Sequence, residues 1–477
     1  MKNKLLVCFV TWMLSVPCFP LSVVAENGLS FADAWKRVQV ENDALLASRA
    51  EVEHAEHKQS AAKSLYLPEV GLSASYIYLD DDVKISPDDI FDSMPAGDKV
   101  KSMFDMIGGG MGLSPAQLNK GLTSTIAERD NLTSSLTATW PIYTGGRITA
   151  AQDIAAGQVD EAQYGHKLQL ISQFEHLVRY YFGAVLAKQV YTTRLSVEEG
   201  LKKHRDHAVL LEQQGQIARV ERMQSEASLD KAVVERKKAG RDLEIARVAL
   251  SRMLKSQELI VPADDLFLYE DLPPLEVFIK KTMNNYPALG MLDAKKEQAS
   301  GVVDIEKGKY LPTVALFGNV NLYEEDDLLN KALMPDWFLG VGVSLPLVDR
   351  SGRAEQLSAA KSTVKRIDHL ELQARSDLSV LVEQAYRQAQ QALEEYHGLG
   401  SSVKLAEETV NLRGKAFSQG LSTSLDVVDA QLFLAGVKSQ RAVAQYNYIV
   451  SLAQVLAVGC DQESFLQYQN SSTHERN

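Results

Sequence analysis

Two pairs of histidines have a spacing that suits metal ligands. His54 and His57 are three residues apart, and so are His204 and His207. On a helix this spacing puts both imidazoles of a pair on one face, where they could hold a metal ion. Each pair lies among charged residues of a long helical pattern, which favours a solvated helix face. The sequence therefore predicts no metal ion and no other cofactor.

The remaining candidates for chemistry are incomplete. The glycine-rich run IGGGMG at 107–112 lacks the strand, the lysine and the helix of a phosphate-binding loop. No Ser-His-Asp set or acid–base pair of carboxylates lies in a pocket-like pattern. Asp426 and Asp429 share one helical face, either as carboxylates that favour a helix N-terminus or as a functional pair. We predict no catalytic residue and no enzymatic activity.

The beginning of the chain predicts export. Lys2 and Lys4 precede an apolar run that ends in small residues, which indicates a signal peptide over 1–25. The alternative is an uncleaved membrane anchor, which the two prolines in the run disfavour. Of the three cysteines only Cys460 lies beyond this segment, so no internal disulfide is expected. The net charge of −12 argues against a nucleic acid partner.

The rest of the chain contains an internal repeat. The tripeptide YLP occurs at 66–68 and at 310–312. The segment WPIYTGGR has a later counterpart in LPLVDRSGR, and Gly215 corresponds to Gly420. Such a repeat predicts one architecture used twice.

Each repeat has the same predicted order of elements: helix, strand, loop, strand, very long helix, turn, helix. We place the first repeat at 26–262 and the second at 263–460. A flexible tail is expected at 461–477. The first repeat also carries an insert at 80–130, rich in Asp, Gly and Pro. We expect this insert to be a flexible extracellular loop.

The longest predicted helices are far longer than those of globular domains. The segments 147–215 and 353–420 contain no proline and are rich in helix-forming residues. The return helix of the first repeat has small and apolar residues in heptad steps from Ala239 to Met253. We predict coiled coils or a helical tube. The alternative is an ordinary amphipathic helix in a globular core.

Four segments alternate polar and apolar residues over about ten positions, as membrane β-barrel strands do. They are predicted at about 68–79, 131–142, 312–323 and 337–347. The alternative is a soluble sheet packed on the helices. Four strands cannot close around water, and lipid excludes open sheet edges. Either the strands are not in a membrane, or several chains pool them; three chains would give twelve strands around a water-filled lumen, and the long helices would continue that wall as a helical tube. The fold class would then be an α+β membrane protein.

This order of motifs resembles the TolC family of outer membrane efflux proteins. The resemblance rests on the signal peptide, the repeat, the YLP segments, the two strand-to-helix junctions and the segment GLSTSLDVVDAQ. It implies a homotrimeric channel, with a trimeric twelve-stranded β-barrel in outer membrane lipid of a Gram-negative-type bacterium and a long periplasmic α-barrel.

As its function, the resemblance implies the exit duct of a tripartite efflux pump or a type I secretion system. The implied partners are a periplasmic adaptor and an inner membrane pump or ABC exporter. The alternative is a periplasmic adaptor or coiled-coil scaffold that does not span the membrane, although ten-residue strands with aromatic ends argue against it.

The resemblance also implies a pore gate at the periplasmic end. It assigns rings of carboxylates to Asp426 and Asp429, which would attract cations. By the same resemblance, Phe417 occupies a position on the preceding helix that is aromatic in the family, and its ring is expected to pack in the closed tip. Ser422 stands where an arginine can tie the closed state by ion pairs, so we expect that tie to be absent.

The turns that end the long helices are predicted to dock the adaptor. Gly215 and Gly420 suit left-handed turns after a helix. The alternative is ordinary turn chemistry without a partner. The predicted docking residues are Gly215, Ile217, Ala218, Val220, Gly420, Leu421 and Ser424.

Overall fold

The computed structural model describes residues 28–324, 335–348 and 350–472. The predicted signal peptide at 1–25 and the end of the predicted tail, 473–477, lie outside these residues. Among the described helices, none combines the length and the apolar composition needed to cross a membrane.

The chain forms two compact units. The hairpin unit comprises the described residues up to Asn42, Ile171–Phe278 and the described residues from Glu383 onward. The sheet unit comprises Asp43–Leu170 and Ile279–Val382. Each unit therefore contains residues from both predicted repeats.

The described elements show the repeat directly. The strands are β1 (Glu69–Tyr78), β2 (Val83–Ile85), β3 (Ser124–Ala127), β4 (Asp130–Tyr143), β5 (Thr313–Glu324) and β6 (Trp337–Ser344). The helices are α1 (Phe31–Glu41), α2 (Asp43–Lys63), α3 (Pro87–Ser93), α4 (Gly97–Gly110), α5 (Pro115–Leu122), α6 (Arg147–Gln213), α7 (Arg219–Met253), α8 (Leu275–Asn285), α9 (Pro287–Gly308), α10 (Arg353–Ser418), α11 (Ser424–Val458) and α12 (Gln462–Ser471). Helices α6 and α10 have 67 and 66 residues, and α7 and α11 have 35 each. The predicted combination of very long helices and four main strands is confirmed.

The main sheet is antiparallel, with the strand order β1-β4-β5-β6. Within the described residues, β1 and β6 have a hydrogen-bonded neighbour on one side only. Every residue of β1 is exposed, including Leu72 at 69% and Tyr76 at 64%. The described chain therefore does not form the alternative, a soluble sheet packed on the helices.

The register separates an apolar face from a largely polar face. Leu72 pairs with Leu136 on one face, and Ser73 pairs with Ser135 on the other. The two serine hydroxyls are 2.9 Å apart. The sequence analysis missed two aromatic rings on the polar face.

These rings belong to Phe317 and Phe338, whose centroids are 6.2 Å apart. Phe317 pairs with Gly340 in the neighbouring strand. A Cβ at Gly340 would come within 2.9 Å of the Phe317 ring, so the glycine makes room for the ring. The simple alternation of strand residues gave no signal for this pairing, because pairing depends on register.

Side chains at the two repeated junctions tie helix ends to strand ends. In the first repeat, the indole N–H of Trp140 donates to the carbonyl of Tyr66 at 2.8 Å. In the second, the guanidinium of Arg353 donates to the carbonyl of Lys309 at 3.2 Å and lies 4.7 Å above the ring of Tyr310. Trp140 in the first repeat and Arg353 in the second therefore stabilise the change from helix to strand at each YLP segment.

The insert at 80–130 is ordered into small elements, and the prediction of a flexible loop is wrong. It contains α3, α4 and α5 with a two-stranded sheet of β2 and β3. The Asp88 carboxylate accepts from Lys101 at 2.8 Å and from Asn119 at 2.6 Å. The glycine-rich run of the insert, 107–112, forms the end of α4 and continues into a turn. An extracellular position stays a prediction.

Aromatic rings form the centre of the hairpin unit, and one of them corrects the predicted tail. Phe465 in α12 is fully buried, and its ring centroid lies 5.2 Å from that of Phe31. Helix α12 therefore packs into the core and is not a flexible tail. The sequence did not indicate this packing, because most residues around Phe465 are polar and the buried positions, Phe465 and Gln469, form no apolar stripe. The other rings of this cluster are Trp35, Phe174, Tyr181, Phe182 and Phe267.

Candidate functional site

The two hairpins of the chain end in turns of the same type. We call α6 and α7 the first hairpin, and α10 and α11 the second. Gly215 and Gly420 have φ angles of +65° and +73°, which glycine adopts without a Cβ clash. The N–H of Gln216 donates to the carbonyl of Leu211 at 2.8 Å, and the matching bond of the second tip is 2.9 Å. Each turn thus satisfies a carbonyl at the end of a long helix.

Helix α11 begins with a reciprocal side-chain cap. The backbone N–H of Asp426 donates to the hydroxyl of Thr423 at 3.2 Å. The Asp426 carboxylate accepts from the N–H of Thr423 at 2.9 Å. It also accepts from the hydroxyl of Ser422 at 3.0 Å. These hydrogen bonds, chiefly those from Thr423, hold the pKa of Asp426 below its usual value, so the carboxylate stays ionised.

An arginine contacts this carboxylate from the other arm of the second hairpin. Arg413 of α10 lies 3.6 Å from Asp426. In the first hairpin, Arg222 of α7 lies 2.6 Å from Glu212 of α6. The absence of an arginine at Ser422 therefore does not leave Asp426 without an ion pair. Sequence analysis missed Arg413 because the contact crosses a turn.

The two predicted gate carboxylates have different surroundings. Asp429 is exposed, whereas Asp426 is half-buried in its cap. The helix N-terminus interpretation thus describes Asp426. A pore-lining position of both carboxylates stays a prediction.

Phe417 is packed inside its own chain. Only 1% of its surface is exposed, and it belongs to a cluster with Ala208, Leu211 and Val427. Ile217 packs against this cluster from the first tip. In the described chain, Phe417 joins the two hairpins and is not available as a free aromatic surface.

Ser424 is buried, which corrects its prediction as a docking residue. It has no exposed surface. Its backbone N–H donates to the carboxylate of Glu221 at 2.7 Å, and its hydroxyl lies 2.7 Å from Nε2 of His204. A partner could not reach this side chain while these contacts hold. The position of Ser424 on a predicted helix did not reveal its burial, because the residues that cover it belong to the first hairpin.

His204 is also buried, although its charged neighbours in sequence suggested a solvated face. It is 7% exposed, and its ring lies 4.4 Å from the ring of Phe417. Burial, with a smaller contribution from His207, lowers the pKa of His204 to about 4, and Glu221 acts in the opposite direction. The imidazole is therefore neutral at neutral pH. Across the described chain, no group of three or more His, Cys, Asp or Glu side chains could hold a metal ion.

Most of the other predicted docking residues face solvent. Val220 is 62% exposed and Leu421 is 77% exposed. Ala218 and both turn glycines are exposed as well, whereas Ile217 is half-buried. These residues leave small apolar surfaces at the tips, and their docking role stays a prediction.

Comparison with known proteins gives one family and one fold. Residues 278–458 match the family described as outer membrane efflux protein. The Bordetella pertussis protein CyaE is 22% identical over 265 residues, which are 54% of this chain and 55% of CyaE. The chain thus spans about half the length of this curated relative.

Solved structures cover more of the chain. The Campylobacter jejuni CmeC outer membrane channel matches with a TM-score of 0.70 at 15% identity, over 100% of this chain and 99% of that one. The open state of the Neisseria gonorrhoeae MtrE outer membrane channel matches with a TM-score of 0.69 at 16% identity, over 91% and 89%. The chain has the fold of these channels.

Proposed function

We propose that this chain, whose residues 278–458 match the outer membrane efflux protein family and whose fold is that of outer membrane channels, forms a homotrimeric exit duct. The duct serves a tripartite efflux pump or a type I secretion system and catalyses no reaction itself. Its strands lie in the outer membrane, and its helices extend into the periplasm. The observation that carries this proposal is the open, exposed four-stranded sheet.

An open sheet of this kind needs partners. The two edge strands, β1 and β6, present backbone donors and acceptors that lipid cannot satisfy. Pairing β6 of one chain with β1 of the next satisfies both edges without adding a different protein. Three chains give twelve strands, which enclose a water-filled lumen.

The two faces of the sheet suit the two environments of a channel. Leu72 and Leu136 lie on the apolar face, which would contact lipid. The hydrogen-bonded hydroxyls of Ser73 and Ser135 lie on the other face, which would contact water in the lumen. Reversing these faces would place hydroxyls in hydrocarbon and leucines in water.

The tips supply the proposed gate and docking surface. Asp429 of three chains would form a carboxylate ring, and the ionised Asp426 of each chain would add charge close to it. The exposed Val220 and Leu421 would contact the hairpin tips of a periplasmic adaptor. An inner membrane pump or ABC exporter would supply the energy.

The test is the mass and conductance of the exported protein. After cell fractionation and detergent extraction, light scattering should give three chains per particle, and planar bilayers should show ion conductance. A detergent-independent single chain in the periplasm would contradict the proposal and support the adaptor or scaffold alternative.

A further inference from the structure

The side chain of His204 lies where the two hairpins of one chain meet. Its Nε2 is 2.7 Å from the hydroxyl of Ser424, the first residue of α11. Its ring packs edge to face on Phe417 in the last turn of α10. Glu221 of α7 accepts from the N–H of the same serine. This small contact set, His204, Glu221, Phe417 and Ser424, joins α6, α7, α10 and α11; we call it the hairpin junction.

The hairpin junction accommodates a neutral imidazole and disfavours a cation. Neutral Nε2 can accept from the Ser424 hydroxyl or donate to it, whereas the cation can only donate. A cation there would be buried and close to His207, which repels it. Glu221, which accepts from the Ser424 N–H, would attract it and offset part of this cost. The described residues of the same four helices form ion pairs near the tips between Arg205 and Asp206, between Arg222 and both Glu212 and Glu226, and between Arg413 and Asp426.

We propose that protonation of His204 separates the two hairpins at the junction, so that acid loosens the tips of the channel. When the hairpins part, the cation gains water, which also weakens its repulsion by His207 on the same helix, and Phe417 loses its packing partner. The inference deepens the proposed function, because the tips are the proposed gate. The contacts that carry it lie within a single chain.

The direction of the pH dependence follows from the two states of the imidazole. The pKa of His204 is about 4 in the joined hairpins, and an exposed imidazole titrates near ~6.5. Separation therefore takes up a proton. The junction is fully stable above pH ~6.5 and loses stability as the pH falls toward 4. From pH 7.5 to pH 5 the equilibrium should shift toward separation by at least about tenfold.

The experiment measures the distance between the hairpins. Val220→Cys and Leu421→Cys place spin labels at exposed positions of the first and second tips, in a Cys460→Ser background that removes the other thiol of the described chain. Labelled chains are diluted with unlabelled chains, and pulsed electron paramagnetic resonance gives the distances at pH 7.5 and pH 5. Phe417→Ala is included to weaken the junction, so that the separated population is measurable.

Acid should increase the long-distance population in the chain that keeps His204, with and without Phe417→Ala. His204→Gln and His204→Asn are the matched controls, because they keep a hydrogen-bonding side chain that does not titrate. The inference is wrong if distances are unchanged by acid, or if these controls respond as the histidine does. The controls also account for effects of acid on the rest of the chain, which they share with the chain that keeps His204.

Conductance separates this inference from the proposed function. Acid-induced separation in chains that form no channel would contradict the proposed function and leave the junction inference standing. A conducting trimer whose hairpins do not respond to acid would overturn the junction inference alone.

Discussion

Two aspartates three residues apart in α11 have different surroundings. Asp426 is held by Thr423, Ser422 and Arg413, and its charge supports a helix N-terminus. Asp429, one turn further, is exposed. A cation passing the proposed gate would therefore meet Asp429 as the more accessible charge.

We expect Asp429→Asn to lower the preference of the channel for cations over anions, because it removes one ring of charge. The measurement is the reversal potential across a bilayer with a salt gradient. Asp429→Glu keeps the charge and should leave the selectivity unchanged. Equal selectivity of the Asn variant and the unsubstituted channel would remove Asp429 from the pore lining.

The cap of α11 offers a second test, because the repeat provides a natural comparison. Thr423 caps α11 with its hydroxyl, and the corresponding position before α7 is Ala218, which has no capping group. Thr423→Ala should lower the free energy of unfolding by about 1 kcal/mol, and Ala218→Ser should raise it by up to about 1 kcal/mol. Denaturant titration would measure both; changes of the same sign would contradict the prediction.

At the scale of elements, glycine and phenylalanine are matched across β5 and β6. Phe317 lies over Gly340, and the ring takes the space that a side chain would fill. This pairing covers a glycine that would otherwise weaken the strand. It also places an aromatic ring on the polar face of the sheet.

Gly340→Val should therefore destabilise the assembly by about 1–3 kcal/mol, because its side chain overlaps the Phe317 ring. The measurement is the temperature at which the trimer dissociates on a gel. Phe317→Ala combined with Gly340→Val should restore part of the loss. An unchanged dissociation temperature for Gly340→Val alone would show that the ring moves away without cost.

At the scale of the whole molecule, the open sheet is the basis of the proposed assembly with other chains. The apolar face carries side chains such as Leu72 and Leu339, which are 69% and 65% exposed. A surface of this kind is unfavourable in water and favourable in lipid. Membrane insertion and trimer assembly are therefore expected to depend on the same strands.

Adjacent residues of β1 test this orientation. Leu72→Lys should impair insertion into the outer membrane, because lysine on the lipid face costs about 2–4 kcal/mol near the bilayer centre. Ser73→Lys on the opposite face should insert normally and change conductance. Quantification of the protein in outer membrane fractions would check both. Equal insertion of the two variants would contradict the assigned faces.

The sequence by itself determined the repeat, the long helices and the four strands. These features depend on local periodicity, proline positions and turn residues, which can be counted along a chain. It also identified the turns at Gly215 and Gly420, because a left-handed residue after a helix has a strong local preference.

Only the tertiary structure decided which polar side chains are buried. His204 and Ser424 are more than 200 residues apart and become partners because the two hairpins pack together. The burial of Phe465 and the pairing of Phe317 with Gly340 have the same origin. Burial and register depend on surfaces supplied by distant segments, so no pattern within one segment could specify them.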